Sequence, residues 1–186
     1  MEPTDADEPR PRCDRCHAPR VACVCEHVTP QSIDLGLLIV QHPKEARLVI
    51  DGGEAVPPPP GSWLLFPGKD AVPASALPSE PPPTVVVVDG TWRQARSMVN
   101  RTPALSALPR VAISPSEPSR YQIRKQPDAG FLCTLEAVAA LLSERGEAAA
   151  SAALLRPFEA LVQFQLACSE RAQPRWRKRA ESGSSA

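Results

Sequence analysis

The sequence predicts an α/β fold in which a mainly parallel sheet is flanked by helices. Short runs of aliphatic residues alternate along the chain with segments of helical pattern, which is typical of this class. The run Val85–Val88 consists only of β-branched residues and suits a strand that is buried on both faces. Asp89 follows this run at once, at the end of the strand where open α/β sheets bind ligands.

The composition is compatible with one domain that carries an appendage, because the chain has 186 residues and is 42% hydrophobic. Its formal net charge is zero, so any RNA site requires local clusters of basic residues. No aliphatic run approaches the roughly 20 residues that cross a bilayer. The charged start, residues 1–12, does not resemble a signal peptide, and we therefore expect a cytoplasmic protein without membrane contact.

Four segments are predicted from the changes in composition. Residues 1–10 form an acidic, disordered tail, and residues 11–30 form a knuckle rich in cysteine. The α/β domain spans residues 31–170, and a basic, flexible tail occupies residues 171–186.

Four strands are clear in the pattern, and the proline-rich stretch 69–83 has room for a fifth. The expected strands are Ile33–Val40, Trp63–Phe66, Val85–Val88 and Arg110–Ile113. Three longer helices are expected at Trp92–Val99, Leu132–Glu144 and Ser151–Ser169, with a short one at Lys44–Ile50. The pattern Thr-x-x-Gln at Thr91 and Gln94 predicts a capping box for the first of the longer helices.

The knuckle contains four cysteines within thirteen residues, namely Cys13, Cys16, Cys23 and Cys25. A closed set of four thiolates is typical of structural zinc, and few apolar residues are present to fold this segment without a metal. The alternative is four free thiols on a flexible arm. Neighbouring arginines would also suit RNA phosphates, and the sequence leaves that question open.

Asp89 has two interpretations at this stage. Burial next to an apolar strand would raise its pKa and suit it to act as a base. Alternatively, its carboxylate only stabilises the turn at Gly90. Arg93 and Arg96 would oppose the rise in pKa if they folded back onto Asp89.

The segment 119–125 places three cations around one aromatic residue, Tyr121. Arginine suits phosphate or carboxylate groups, and tyrosine can stack on a base or an adenine. A solvated, charged loop is the alternative. Further along, Thr134 is expected to cap a helix, and the helix dipole alone would explain Glu136 in its first turn. His42, at a strand end, is a further candidate.

Several of these segments together resemble the DTW-domain family of tRNA-uridine aminocarboxypropyltransferases. They occur in the order of that family and cover roughly residues 12–166. They are the cysteine pairs, Gln41–Glu45, Leu65–Pro67, Asp89–Trp92, Ser119–Arg124, Thr134–Ala137 and the late helix with Pro157, Phe158 and Gln163 or Gln165. One departure from the family is the stretch 46–63, which is shorter than usual and rich in proline.

The resemblance implies a fold related to the SPOUT class, knotted around S-adenosylmethionine. It also implies transfer of the 3-amino-3-carboxypropyl group to N3 of a uridine in tRNA, with release of methylthioadenosine. The expected catalytic residues are Asp89, Thr91 and Trp92. The expected S-adenosylmethionine site comprises His42, Ser119, Tyr121, Arg124, Thr134 and Glu136. The expected tRNA contacts are Arg120, Lys125, Arg175, Arg177 and Lys178.

Two other functions remain open from the sequence. An RNA methyltransferase that uses S-adenosylmethionine would keep the fold and change the transferred group. A zinc-knuckle RNA-binding protein without catalysis would explain the shortened stretch 46–63. The absence of any Gly-x-Gly-x-x-Gly, Walker or Gly-x-Ser-x-Gly motif argues against Rossmann, P-loop and serine hydrolase functions.

Overall fold

The computed structural model describes residues 11–42, 57–114, 119–121 and 132–171. The strands are β1 (Gly36–Gln41), β2 (Trp63–Leu65), β3 (Val72–Pro73), β4 (Thr84–Asp89) and β5 (Arg110–Ala112). The helices are α1 (Trp92–Arg101), α2 (Pro103–Ser106), α3 (Thr134–Glu144) and α4 (Ala148–Arg171), and short 3-10 turns lie at Arg20–Ala22, Cys25–His27 and Ala74–Ala76.

The five strands form one sheet in the order β1-β4-β2-β5-β3, and every neighbouring pair is parallel. The predicted parallel α/β fold is therefore confirmed. Strand β4 pairs with β1 along its whole length and with β2 on its other side. Strand β4 is therefore an internal strand of the sheet, with a neighbouring strand on each side.

The sheet is covered on both faces, as the unbroken valine run predicts. Val85 and Val87 pack into a core with Val138, Leu141 and Leu142 of α3. Val86 and Val88 point to the opposite face and pack with residues of α1 and with Leu105 of α2. Successive side chains of a strand point to opposite faces, so this run needs an apolar residue at every position.

The observed elements differ from the predicted ones mainly at their ends. Strand β1 begins at Gly36, three residues later than expected, and α4 begins at Ala148 rather than Ser151. The stretch 69–83 does contain a fifth strand, β3. The short helix α2 was missed because four residues carry no readable periodicity. The capping box at Thr91 and Gln94 is confirmed.

Several expectations lie outside the described residues. They concern the acidic tail 1–10, the short helix at Lys44–Ile50, most of the loop between β5 and α3, and the basic tail after Arg171. Within the described ranges, none of the helices combines the length and the apolar character that crossing a membrane requires.

Leu141 offers a test of this core, because its side chain is fully buried between α3 and the sheet. Leu141→Ala should lower the free energy of unfolding by about 2–5 kcal/mol, since it removes buried methyl groups and leaves a cavity. Ile39→Ala is the matched control, because Ile39 of β1 is 58% exposed, and it should change the free energy of unfolding by less than about 0.5 kcal/mol. Urea denaturation at fixed zinc concentration measures both, and equal effects would contradict the proposed packing.

Candidate functional site

The last residue of β4, Asp89, lies at the carboxyl edge of the sheet and is half-buried. By the alternation of the strand, it points to the same face as Val85 and Val87, which is the face covered by α3. Thr134, the first residue of α3, donates a hydrogen bond from Oγ1 to Asp89 Oδ1 at 2.7 Å. The carboxylate thus connects the end of the sheet to the start of a helix.

The second oxygen of Asp89 is held from the neighbouring strand. Gln41 ends β1 directly opposite Asp89 in the register, and its Nε2 donates to Asp89 Oδ2 at 2.8 Å. The backbone N–H of His42 donates to the carbonyl oxygen of Asp89 at 2.9 Å. Both carboxylate oxygens therefore accept hydrogen bonds from side chains of other elements. Asp89 does more than stabilise its own turn.

The turn after β4 is held by the start of α1. The N–H of Thr91 donates to Gln94 Oε1 at 2.6 Å, and the N–H of Gln94 donates to Thr91 Oγ1 at 3.4 Å. A Cβ atom at Gly90 would lie 3.3 Å from atoms of both Gln94 and His42. Glycine therefore allows the ends of β1 and β4 to approach α1 closely. The hydroxyl of Thr91, one of the expected catalytic residues, serves here as a helix cap.

Trp92 lies on the opposite side of the site from α3, in a small aromatic group. Its ring centroid is 6.0 Å from that of Phe66, which follows β2, and the two planes are tilted by 50°. The guanidinium of Arg110 lies 5.6 Å from the centroid of the Phe66 ring and donates to the carbonyl of Pro67. Trp92 is half-buried, so part of its surface faces solvent beside the end of β4.

Glu136 is the buried centre of a second polar group. Its side chain is 6% exposed, and its carboxylate accepts from Ser119 Oγ at 2.7 Å, Arg120 N at 2.6 Å and Cys133 N at 2.9 Å. The helix dipole alone is therefore not the explanation for this residue. Thr134 was expected to cap α3, but Cys133 occupies the N-cap and the hydroxyl of Thr134 is directed to Asp89 instead.

The ionisation of Glu136 follows from these contacts. Burial opposes the charged form, but the hydrogen bonds from Cys133, Ser119 and Arg120 outweigh burial and hold the pKa of Glu136 below its usual value. A carboxylate that accepts three hydrogen bonds fixes the segment 119–121 against the start of α3. Glu136 thereby acts as an anchor inside the protein.

The segment 119–121 is also fixed to α4. The ring of Tyr121 lies 5.8 Å from that of Phe158, centroid to centroid, and Arg120 forms an ion pair with Glu159. Both members of this ion pair are about half exposed, so the pairing is open to solvent and salt. Arg120, which was expected to contact tRNA, thus has an acidic partner within the protein.

The structure places the described site residues in two groups that are joined by the start of α3. His42, Asp89, Thr91, Trp92 and Thr134 lie around the end of β4, while Ser119, Arg120, Tyr121 and Glu136 lie at the start of α3. Five of the expected residues lie outside the described ranges, namely Arg124, Lys125, Arg175, Arg177 and Lys178. The sequence pattern assigns no separate role to Gln41 or Glu159. Only the pairing of β1 with β4 identifies Gln41, and only the packing of α4 identifies Glu159.

The four cysteines of the knuckle form a separate cluster. Their Sγ atoms all lie within 4.8 Å of one another, with 3.9 Å between Cys13 and Cys25 and 3.8 Å between Cys16 and Cys23. Four sulfurs bonded to zinc at about 2.3 Å in a tetrahedron are separated by about 3.8 Å. The donor set and its spacing therefore fit a structural zinc ion.

The backbone of the knuckle prepares this geometry. The N–H of His17 donates to the carbonyl of Cys13, and an antiparallel bridge joins Arg12 to Pro19. The backbone N–H groups of Cys16 and Arg15 lower the pKa of the Cys13 thiol to about 6, because they stabilise the thiolate that metals bind. The turn Cys25–His27 contacts α4, so the cluster is attached to the domain.

The fold and the two groups of residues define a class: an α/β protein with a polar site at the carboxyl edge of a parallel sheet and a cysteine cluster suited to metal. Residues 49–166 match the DTW domain. The chain belongs to the DTW domain family.

Relatives in this family carry a common name. The chain is 32% identical to "tRNA-uridine aminocarboxypropyltransferase 2" of Drosophila melanogaster, over 87% of this chain and 78% of that protein. It is 30% identical to the protein of the same name from Mus musculus, over 88% of this chain and 66% of that protein. It is 26% identical to "tRNA-uridine aminocarboxypropyltransferase A" of Arabidopsis thaliana, over 74% of each. No solved structure gave a significant match.

Zinc content tests the cysteine cluster. The purified protein should contain about one zinc ion per chain, and Cys16→Ser should lose most of it, because a tetrahedral site needs all four ligands. Cys168→Ser is the matched control, since Cys168 is exposed and lies on α4. Elemental analysis after dialysis measures the ratio. Zinc retained at the wild-type level by Cys16→Ser would contradict the assignment.

The lowered pKa of Glu136 predicts a dependence of stability on pH. The charged form is favoured by folding, so its contribution is present above the unfolded pKa of about 4.3 and is lost as pH falls through the lower folded pKa. Glu136→Gln should therefore destabilise the protein at pH 7 by roughly 1–3 kcal/mol, and the difference should shrink toward pH 3. Denaturation at several pH values measures it, and a difference that is constant with pH would contradict the anchor role.

Proposed function

We propose that this protein transfers the 3-amino-3-carboxypropyl group of S-adenosylmethionine to N3 of a uridine in tRNA, as an aminocarboxypropyltransferase. The observation that carries the proposal is the position of Asp89, at the carboxyl edge of the sheet with both oxygens oriented by Gln41 and Thr134. The membership of the DTW domain family and the shared name of the relatives support the reaction class.

The residues around Asp89 have the chemistry that S-adenosylmethionine requires. Its sulfonium is a cation that a carboxylate attracts, its adenine can stack on an aromatic ring, and its carboxylate suits an arginine. The described part of the site offers the carboxylate of Asp89 for the sulfonium and the half-buried ring of Tyr121 for the adenine. We infer that these residues hold this co-substrate together with His42, Thr134 and Arg124. We also infer that Glu136 and Ser119 act indirectly, because they fix Tyr121 and Arg120 in place.

The reaction places one demand on an acid-base residue. N3 of uridine carries a proton and is a weak nucleophile until that proton leaves. We assign Asp89 to accept it, while the new bond from N3 to the aminocarboxypropyl carbon forms and the bond from that carbon to sulfur breaks. The sulfur keeps the electron pair and leaves as the thioether of methylthioadenosine. S-adenosylmethionine supplies the activated carbon, and no other reactant is needed.

The second demand is positional. Three carbons are attached to a sulfonium, and each is activated, so the chain must direct N3 to the aminocarboxypropyl carbon rather than to the methyl group. Asp89 is held by two elements, and the neighbouring ring of Trp92 is held against Phe66. We infer that Trp92 forms one wall of the uridine pocket, and that Thr91 contributes by capping the helix that carries it.

Contacts with tRNA would come from clustered basic residues, since the chain as a whole is neutral. We propose Arg120, Lys125 and the basic residues of the C-terminal tail, Arg175, Arg177 and Lys178. Phosphate binding by such residues makes affinity fall steeply with salt. We further propose that the cysteine cluster binds structural zinc, and that the domain is a SPOUT-related fold with a knot in its C-terminal part.

The product identifies the function directly. The purified protein is incubated with S-adenosylmethionine and unmodified tRNA, and the tRNA is then digested to nucleosides for mass analysis. An aminocarboxypropyl-uridine is the expected result. A methylated base would indicate an RNA methyltransferase and overturn the proposed transfer. Binding of tRNA with no product would indicate a zinc-knuckle RNA-binding protein instead.

The role of Asp89 predicts a large loss of activity on substitution. Asp89→Ala should lower kcat by about 10²- to 10⁴-fold, the usual contribution of a general base. Asp70→Ala is the matched control, because Asp70 is an exposed acid in a loop after β2. Initial rates of product formation measure both variants, with thermal denaturation to confirm that each is folded. Full turnover by a folded Asp89→Ala would exclude the proposed role.

A further inference from the structure

The pair formed by Gln41 and Asp89 presents a hydrogen-bond donor beside an acceptor. An ionised carboxylate only accepts, so the Gln41 atom that contacts Asp89 Oδ2 at 2.8 Å has to be the amide nitrogen. That nitrogen carries two hydrogens, and one of them is used by Asp89. The side chain of Gln41 is exposed at the edge of the sheet, and the carboxylate of Asp89 is half-buried beside it.

The relative position of the two side chains is fixed by the sheet. Gln41 and Asp89 are partners in the parallel register of β1 and β4, so both side chains stand at the same level at the end of the sheet. The N–H of His42 continues this pairing through the carbonyl of Asp89, and Thr134 holds the other carboxylate oxygen. A donor and an acceptor in a fixed relation form a template that a ligand can match or fail to match.

We propose that Gln41 is a specificity-determining residue that recognises the uracil base. Its second Nε2 hydrogen donates to a carbonyl oxygen of uracil next to N3, while Asp89 accepts the hydrogen of N3. The inference rests on the proposed function and deepens it, because it assigns the choice of base to a residue that does not take part in the bond changes.

The chemistry of the two pyrimidines explains why this pair selects uracil. Uracil carries N3–H between two carbonyl groups, which matches an acceptor and a neighbouring donor. Cytosine has an unprotonated N3, whose lone pair would face the lone pairs of Asp89 Oδ2. Two acceptors that face each other lose a hydrogen bond and repel, and sites built around such bonds discriminate strongly.

The test compares wild type, Gln41→Ala and the control Gln31→Ala on one substrate series. Gln31 is an exposed glutamine before β1 whose Nε2 contacts the carbonyl of Pro30. The substrates are tRNAs assembled from synthetic halves, in which the acceptor position is uridine, 2-thiouridine or 4-thiouridine. Sulfur accepts hydrogen bonds more weakly than oxygen. Replacing the oxygen that Gln41 binds by sulfur should therefore weaken a hydrogen bond in wild type, and this loss should be absent in Gln41→Ala.

On uridine, Gln41→Ala should lower kcat/KM by about tenfold, the value of one lost hydrogen bond, and Gln31→Ala should leave it unchanged. One of the two thio substitutions should lower kcat/KM less in Gln41→Ala than in wild type. The carbonyl oxygen that this substitution replaces is then the one that Gln41 contacts. If both thio substitutions have the same effect in Gln41→Ala as in wild type, Gln41 does not contact the base and the inference is overturned. If Gln41 had only a structural role, both thio substitutions would have the same effect in Gln41→Ala as in wild type.

Two controls separate the possible failures. Because the Gln41 side chain is exposed and β1 pairs through its backbone, Gln41→Ala should retain the thermal midpoint of the wild type. A wild type that forms aminocarboxypropyl-uridine, with thio effects that do not depend on Gln41, would overturn this inference and leave the proposed function intact. A wild type that forms no such product would overturn both.

Discussion

The parallel pairing of β1 with β4 is the constraint on which the site depends. It places the last residue of β1, Gln41, directly opposite the last residue of β4, Asp89. A shift of one residue in this register would turn the side chains of β1 to the opposite faces of the sheet and remove Gln41 from Asp89. The register is specified by the core on both faces of the sheet. Leu37 of β1 packs on the cluster that contains Val85 and Val87, and Leu38 and Val40 of β1 pack on the cluster that contains Val86 and Val88. The packing that stabilises the fold therefore also sets the geometry of the polar edge.

Two carboxylates, those of Asp89 and Glu136, have different roles near the end of β4. Asp89 is half-buried and holds the sheet to α3 through Thr134, whereas Glu136 is buried and holds the segment 119–121 to the same helix. The hydrogen bonds and the burial of each carboxylate explain the difference between these two roles. Glu136 accepts three internal hydrogen bonds that stabilise its charge, so it is suited to structure. Asp89 keeps part of its surface open to solvent, so it remains accessible to a ligand.

Much of the fold could be predicted from the sequence, because the signals were local. The valine run, the capping box at Thr91 and the spacing of the knuckle cysteines each report on a few neighbouring residues. The role of Thr134 could not be predicted in the same way: a threonine at a helix start suits a cap equally well, and only the position of β4 shows that its hydroxyl reaches Asp89. Gln41 and Glu159 were missed for the same reason, since their partners are distant in sequence.

This distance in sequence has a consequence for how the protein is made. The carboxylate of Asp89 receives one hydrogen bond from a residue 48 positions earlier and another from a residue 45 positions later. The ion pair of Arg120 closes only with Glu159, 39 positions further on. Contacts of such long range form late and slow the folding of a small domain. During synthesis on the ribosome, β1 and β4 can pair and bring Gln41 to Asp89 once β4 has emerged, whereas the bond from Thr134 and the ion pair with Glu159 wait for α3 and α4.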